Sequence, residues 1–289
     1  MTRAGELDSS LQARLAEIAA ALEEGALAVT AYDYCSKRHW SFNGARWFHA
    51  ASTIKIAILA AVFDAIDAGR FTPDSRLAVR NRFSSAVDGA PFRVQASRDA
   101  DSEVHAAIGR TMQVRALARH MMVTSSNLAT NLLLDLIGLD ASREALARRG
   151  IPGIDLQRGV EDDRAFEAGR NNRVTSDGLV RLLRVLCDHE GFTASSAQAM
   201  LDILFDQHFD GGIGPGLPES VRAVARVAHK TGDISTVTHD AGLVFLPGRP
   251  PYVLAILTEN GGDATKRTQA MTTASRLVYE AVSEAGASA

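Results

Sequence analysis

Three short polar motifs follow one another along this 289-residue chain: Ser52-Thr53-Ile54-Lys55, Ser125-Ser126-Asn127 and Lys230-Thr231-Gly232. The first pairs a hydroxyl with an amine three residues later at the start of a predicted helix, so the two side chains share one helix face. The second motif adds a hydroxyl and an amide, and the third adds an amine and a hydroxyl on a predicted strand. These groups are typical of acyl transfer through a serine ester with a lysine as general base.

Each motif alone also has a purely structural interpretation. Ser52 could cap its helix while Lys55 extends towards water, and Ser125 and Ser126 could cap the next helix. Lys55, however, begins an otherwise apolar helix, so its ammonium must be partnered or its pKa must fall through lost hydration. A lysine with a lowered pKa is a base for a serine hydroxyl. The three motifs in this order therefore favour catalysis.

The composition excludes several classes of function. The net charge is −3 and the arginines are interleaved with acids, so we expect no nucleic-acid partner. No segment reaches the ~18 consecutive apolar residues that cross a bilayer, and we expect no membrane partner. The two cysteines and eight histidines form no ligand pattern, so we expect no metal and no cofactor. A monomer is expected.

The first 25 residues bear on location. They carry charged residues throughout and no continuous apolar core, which is not the pattern of a signal peptide. The chain as written is therefore expected to be cytoplasmic. If a leader has been removed, a periplasmic or secreted location is expected instead.

The periodicity predicts an α/β (α+β) fold. We expect an antiparallel sheet flanked by N- and C-terminal helices, with an inserted all-helical domain. Residues 1–49 and 211–289 would form the discontinuous sheet domain and residues 50–210 the helical domain, with the active site in the cleft between them. The predicted strands are 26–34, 39–42, 223–230, 241–246 and 252–258. Among the predicted helices, one is capped by Thr111 and runs to Val123, and another begins near Ser126.

The motifs and their surroundings resemble class A β-lactamases and related penicillin-recognising serine hydrolases, whose motifs are S-x-x-K, S-D-N and K-T-G. The resemblance extends from about residue 26 to about residue 281, and it includes Phe48–Lys55, Met121–Leu133 and Ala228–Gly232. It implies a β-lactamase-like fold, a small-molecule amide or ester substrate, and a β-lactam as the favoured one.

The resemblance also implies a role for each motif residue. Ser52 would be acylated, Lys55 would activate it, and Ser125 would relay a proton to the leaving nitrogen with help from Lys230. The substrate would be held by the Asn127 amide, the Thr231 hydroxyl and an oxyanion hole. The two donors of that oxyanion hole would be the backbone N–H groups of Ser52 and Asp233.

The sequence departs from the family pattern at three places. Ser126 stands where the family has the aspartate of S-D-N. The family's deacylating glutamate is best matched by Glu161, with Asp162 and Glu167 as alternatives, although all three could be solvated or structural loop charges. The arginine expected after the third motif to bind a substrate carboxylate is absent, and His239 lies near its place.

The favoured function is hydrolysis of the β-lactam amide through an acyl-enzyme on Ser52. The alternatives are a cytosolic amidase or esterase, a peptidase acting on D-amino-acid termini, a penicillin-binding protein with slow turnover, and a catalytically silent binder of the same fold. Without a carboxylate to activate water, acylation would persist and turnover would stall.

Overall fold

The computed structural model describes residues 3–286, which divide into two compact units. The sheet unit contains the described residues up to Thr53, the segment Val174–Arg184 and the described residues from Asp210 onwards. The helical unit contains Ile54–Arg173 and Val185–Phe209. The domain boundaries given by the sequence analysis stay a prediction.

The sheet unit is built on five antiparallel strands. They are β1 (Ala26–Asp33), β2 (His39–Phe42), β3 (Arg226–Asp233), β4 (Val237–Phe245) and β5 (Tyr252–Glu259). Their order across the sheet is β3-β4-β5-β1-β2. The β3–β4 register pairs Lys230 with Ala241 and Gly232 with His239. The antiparallel sheet predicted from the alternating pattern is thereby confirmed.

The two terminal helices, Arg3–Ala20 and Ala264–Gly286, pack against each other and against the sheet. Their apolar residues recur every three to four positions, so one face of each helix is buried. That core includes Leu15, Leu22, Leu27, Ile256, Leu277 and Val278. The remaining elements of this unit are the strand Phe48–His49, the 3-10 turn Ala51–Thr53, most of the helix Ser176–Cys187, and the short helices Ile213–Gly216 and Glu219–Arg222.

The helical unit is arranged around the helix Ile54–Asp67, which is buried on nearly every side. Its sequence is apolar all round, the pattern expected of a central helix. The helices that pack around it are Val114–Val123, Asn127–Ile137, Leu139–Arg148 and Ala194–Phe205. The shorter helices Ser102–Ala106 and Asp163–Glu167, and the 3-10 turn Ala96–Arg98, complete the helical part of this unit.

The helical unit also contains short strands. Arg76–Ala78 pairs with Thr111–Gln113, and Phe83–Ser84 pairs with Pro91–Phe92. Thr111 therefore lies in a strand and caps no helix, because the Arg76 guanidinium donates to both its hydroxyl and its carbonyl. The helix begins instead at Val114. Two-residue strands also occur at Ile154–Asp155 in this unit and at Arg173–Val174, whose second residue belongs to the sheet unit.

Across residues 3–286, no helix combines the length and apolar character needed to cross a membrane.

Candidate active site

The amine of Lys55 is the centre of a polar cluster inside the helical unit. Lys55 is fully buried in the first turn of its helix. Its Nζ donates to the Ser125 carbonyl oxygen at 2.6 Å, contacts Ser125 Oγ at 3.1 Å and donates to Asn127 Oδ1 at 2.9 Å. The structure thus brings together the lysine of the first motif with Ser125 and Asn127 of the second. We call these residues, with Glu161, the Lys55 cluster.

Burial makes the Lys55 amine a base near neutral pH. Loss of hydration lowers the pKa of Lys55 from 10.5 to about 7, and the carboxylates of Asp99 and Glu161 oppose that fall. Near pH 7 a large fraction of this amine is therefore neutral. A neutral amine offers a lone pair, to which the Ser125 hydroxyl at 3.1 Å can donate.

The second motif forms a strained turn between two helices. Ser125 follows the helix Val114–Val123 and has a φ of 60°, a left-handed conformation that is uncommon for serine. Ser126 caps the next helix, because its Oγ accepts from the Ala129 N–H at 3.1 Å. The turn directs both the carbonyl and the hydroxyl of Ser125 towards Lys55, and backbone strain of this kind occurs often at functional sites.

Glu161 joins the Lys55 cluster and is not a solvated loop charge. Its side chain is only 4% exposed. Its Oε1 accepts from Asn127 Nδ2 at 2.9 Å, and its Oε2 accepts from the Gln95 N–H at 3.0 Å. Arg98 lies 3.8 Å away on the solvent side. Of the three acids that the sequence analysis considered, Glu161 has these contacts, while Asp162 caps the helix Asp163–Glu167 and Glu167 is exposed.

The sheet unit carries the nucleophile candidate beside the third motif. Ser52 is half-buried in the 3-10 turn, and the preceding Ala51 has a φ of 44°. A Cβ added to Gly232 would lie 3.1 Å from the Ser52 backbone nitrogen and 3.2 Å from Ala51 Cβ. Glycine is therefore required here for close approach of the strand to the turn. The Ser52 N–H lies next to the strand that carries Asp233, as an oxyanion hole would need.

The lysine of the third motif is also buried. Lys230 is fully buried in β3, and its Nζ donates to the Thr231 carbonyl oxygen at 3.0 Å. Thr231 is half-buried, and its methyl group would lie 2.9 Å from a Cβ on Gly211. Asp233 is exposed, and its carboxylate accepts from the Thr238 hydroxyl at 2.8 Å.

His239 is a structural residue in this arrangement, which corrects its expected place among the substrate ligands. The ring is fully buried and stands edge-on to Phe48. Its Nε2 lies 2.9 Å from the His49 carbonyl oxygen, and its Nδ1 lies 2.8 Å from the Thr238 carbonyl oxygen and 3.2 Å from the Thr258 nitrogen. Burial lowers the pKa of His239 to about 4, so the ring is neutral. A neutral ring with both nitrogens engaged does not hold a carboxylate.

Asp99 is a residue next to the Lys55 cluster that the motifs did not predict. Its buried carboxylate accepts from the Asn127 N–H at 3.1 Å and acts electrostatically on Lys55. Asp99 belongs to none of the three motifs and lies in an irregular segment, so no local pattern identifies it. The small number of lysines, however, could have indicated the site. The chain has only four lysines, namely Lys37, Lys55, Lys230 and Lys266, and two of them belong to the motifs.

Within residues 3–286, no group of three or more histidine, cysteine, aspartate or glutamate side chains could hold a metal ion.

Known structures resemble this chain along nearly its whole length. A β-lactamase from Sphaerobacter thermophilus is 29% identical, with a TM-score of 0.78, and the match covers 93% of this chain and 97% of that one. An ancestral class A β-lactamase (GNCA) is 26% identical with a TM-score of 0.78, covering 94% and 99% of the two chains. A mutant of PBP-A, solved as an acyl-enzyme complex with penicillin G, is 25% identical with a TM-score of 0.79, covering 96% and 97%. No curated protein sequence matches the chain significantly.

The fold is that of a class A β-lactamase, as the motifs predicted. The beta-lactamase enzyme family matches residues 10–282, and the chain belongs to that family. Family and fold together support a serine hydrolase of the β-lactamase type.

Proposed function

We propose that this protein hydrolyses the amide bond of β-lactams through an acyl-enzyme on Ser52. The observation that carries the proposal is the Lys55 cluster. It contains the buried Lys55 amine, whose pKa is about 7, and the Ser125 hydroxyl 3.1 Å from that amine. It also contains the buried Glu161 carboxylate, which is hydrogen-bonded to Asn127, the asparagine that accepts from Lys55. An amine, a relay hydroxyl and a second general base are what acylation and deacylation of a serine require.

In the acylation step, Ser52 Oγ forms a bond to the lactam carbonyl carbon and its proton passes to the Lys55 amine. The backbone N–H groups of Ser52 and Asp233 stabilise the oxyanion. Ser125 then gives its proton to the lactam nitrogen as the C–N bond breaks, and the Lys55 ammonium returns a proton to Ser125. Lys230 favours these transfers by its positive charge, and Thr231 binds the substrate carboxylate.

In the deacylation step, Glu161 accepts a proton from water as the water oxygen attacks the ester carbonyl. The C–O bond to Ser52 breaks, the serine oxygen regains a proton, and the opened product leaves as an acid. Asn127 supports both steps, because its Oδ1 accepts from Lys55 while its Nδ2 donates to Glu161. Removing the carboxylate should therefore stop the second step and spare the first.

A second candidate is a penicillin-binding protein that is acylated and turns over slowly. The similarity to PBP-A, whose mutant was solved as an acyl-enzyme with penicillin G, favours it. The two candidates differ in the rate of ester hydrolysis, which depends on Glu161.

The test incubates the protein with penicillin G and with a chromogenic cephalosporin while turnover and intact mass are followed. Rapid turnover that is lost in Ser52→Ala supports the β-lactamase. A stable adduct on Ser52 in the unmodified protein supports the slow acylating protein. Cleavage of simple esters, amides or D-amino-acid peptides without any adduct from either β-lactam supports the alternative hydrolases and contradicts the proposal.

Two matched variants test the role of the carboxylate. Glu161→Gln should slow deacylation by about 10²–10⁴-fold and let the Ser52 adduct accumulate. Glu167→Gln removes an exposed charge close by in the sequence and should leave turnover unchanged. If the two variants behave alike, Glu161 is not the deacylating base.

A further inference from the structure

A carboxylate outside the three motifs occupies the N-terminus of the helix Asn127–Ile137. The Asp99 side chain is wholly buried. Its Oδ1 accepts from the Asn127 N–H at 3.1 Å, and its Oδ2 accepts from the Leu128 N–H at 2.9 Å. The first backbone N–H groups of a helix have no partner within the helix, and a carboxylate there also interacts favourably with the helix dipole.

This arrangement accompanies the substitution in the second motif. Where the family pattern has an aspartate, Ser126 has a shorter side chain, and its Oγ caps the Ala129 N–H. The N–H groups of the first two helical residues are left to Asp99, whose Oδ2 also accepts from Ser126 Oγ at 3.3 Å. A charge that the motif lacks is thus supplied from another segment of the same unit.

The segment that carries Asp99 is itself fixed by hydrogen bonds. The Asp101 N–H donates to Asp99 Oδ1 at 3.1 Å, and His105 Nε2 lies 3.1 Å from Asp99 Oδ2. Asp101 caps the helix Ser102–Ala106 and contacts His120 Nδ1 at 2.7 Å. The carboxylate is therefore held from both sides.

We propose that Asp99 is a positioning residue of the Lys55 cluster and takes over the part of the aspartate that the second motif lacks. It acts through Asn127, whose backbone it holds, and through its negative charge on Lys55. The inference rests on the proposed function for its kinetic consequences, and its electrostatic consequence can be measured without any substrate.

The charged groups that act on Lys55 within the helical unit are Asp99 and Glu161. The titratable groups that contact Asp99 are His105 and, through its backbone, Asp101. Without the Asp99 charge, only the Glu161 carboxylate opposes the lowering of the Lys55 pKa by burial. The pKa of Lys55 should then fall further, whereas a purely structural role for Asp99 would leave that pKa unchanged.

The first experiment titrates the side-chain methylene groups of ¹³C-labelled lysine by NMR. With only four lysines in the chain, each signal can be assigned by substitution. In Asp99→Asn the pKa of Lys55 should fall by about one unit. In the control Asp140→Asn, which removes a carboxylate whose side chain is 88% exposed in the same unit, it should not change. An unchanged Lys55 pKa in folded Asp99→Asn overturns the electrostatic part of the inference.

The second experiment is a rescue. Asp99→Ala should slow acylation of Ser52 by about 10²-fold, because Asn127 loses its fixed position. The double variant Asp99→Ala/Ser126→Asp restores a carboxylate at the helix start and should recover most of that loss. Ser126→Asp alone puts two carboxylates at one helix end and should be less stable than the unmodified protein. A double variant no faster than Asp99→Ala overturns the positioning role.

The outcomes separate this inference from the proposed function. If the unmodified protein gives no adduct on Ser52, the proposed function fails, and the lysine titration still decides whether Asp99 acts on Lys55. If Asp99→Ala does not fold, the near-isosteric Asp99→Asn decides both parts through the Lys55 pKa and the acylation rate.

Discussion

At the scale of residues, most of the proposed chemistry depends on one buried amine, that of Lys55. Arginine keeps its charge at every accessible pH, whereas lysine can lose its proton when it is desolvated. The chain relies on arginine for nearly all its cationic groups and has four lysines, two of which are fully buried. Lys55 can therefore act as a base, because loss of hydration lowers its pKa to about 7.

The pH dependence of acylation should report the Lys55 pKa. In the proposed mechanism the neutral amine is the active form, so the second-order rate of Ser52 acylation should rise with pH through a midpoint near 7 and then level off. Stopped-flow measurement with a chromogenic cephalosporin between pH 5 and 9 checks this. A rate that is flat across this range would contradict Lys55 as the base.

Replacement of the amine by a permanently charged group should remove the base. Lys55→Arg should slow acylation by about 10²–10⁴-fold and abolish the limb near pH 7. Lys266→Arg is the matched control, because Lys266 is partly exposed and pairs with Glu23. The control should acylate at the unmodified rate.

The site residues lie where elements begin or end, and the backbone there is strained. Ala51, Ser125 and Glu161 all have positive φ values, of 44°, 60° and 63°. Such conformations cost of order 1–3 kcal/mol each and persist when the surrounding contacts fix them. Here Ser125 is fixed by Lys55 and Glu161 by Asn127 and Gln95. Element ends allow this because their backbone groups are free of helix and strand pairing.

The close approach of β3 to the 3-10 turn should make Gly232 sensitive to a single methyl group. Gly232→Ala places a Cβ 3.1 Å from the Ser52 nitrogen, which pushes the strand away from the turn. We expect a stability loss of about 1–3 kcal/mol and an acylation rate lower by about 10²–10³-fold. Chemical denaturation and acylation kinetics measure the two effects.

Gly261→Ala is the control for that substitution, since an added Cβ there meets no atom within 4 Å. It should change neither quantity. Gly232→Ala with normal acylation would contradict the oxyanion role assigned to this part of β3.

The elements were predictable to the extent that local pattern determined them. The apolar helix after Ser52 and the alternating strands at both ends are found as expected. Thr111 was predicted wrongly because pairing with Arg76–Ala78, a contact between distant segments, overrides its capping preference. Asp99 and the burial of His239 could not be predicted for the same reason, since both depend on which segments meet in the folded chain.

At the scale of the whole molecule, the buried His239 should make the free energy of unfolding depend on pH. His239 has a pKa of about 4 in the folded protein and about 6.5 when unfolded. Between these values the unfolded chain binds the additional proton, so the free energy of unfolding should fall as pH drops from 6.5 to 4. The full effect is about 3 kcal/mol, and urea denaturation at several pH values measures it.

His239→Gln should make the free energy of unfolding less dependent on pH between 6.5 and 4. A glutamine can donate to the His49 carbonyl oxygen and does not titrate. His39→Gln changes an exposed histidine of β2 and should leave the slope as it was. Equal slopes in all three proteins would contradict the buried, neutral state of His239.

The four lysines differ in burial, so their chemical reactivity should report local opening of the folded protein. Lys37 is exposed and Lys266 partly so, while Lys55 and Lys230 are enclosed. Reductive methylation of the native protein should therefore modify Lys37 and Lys266 and leave Lys55 and Lys230 unmodified. The rate of methylation at Lys55 or Lys230, followed by peptide mass mapping, would measure how often each amine becomes transiently exposed to solvent.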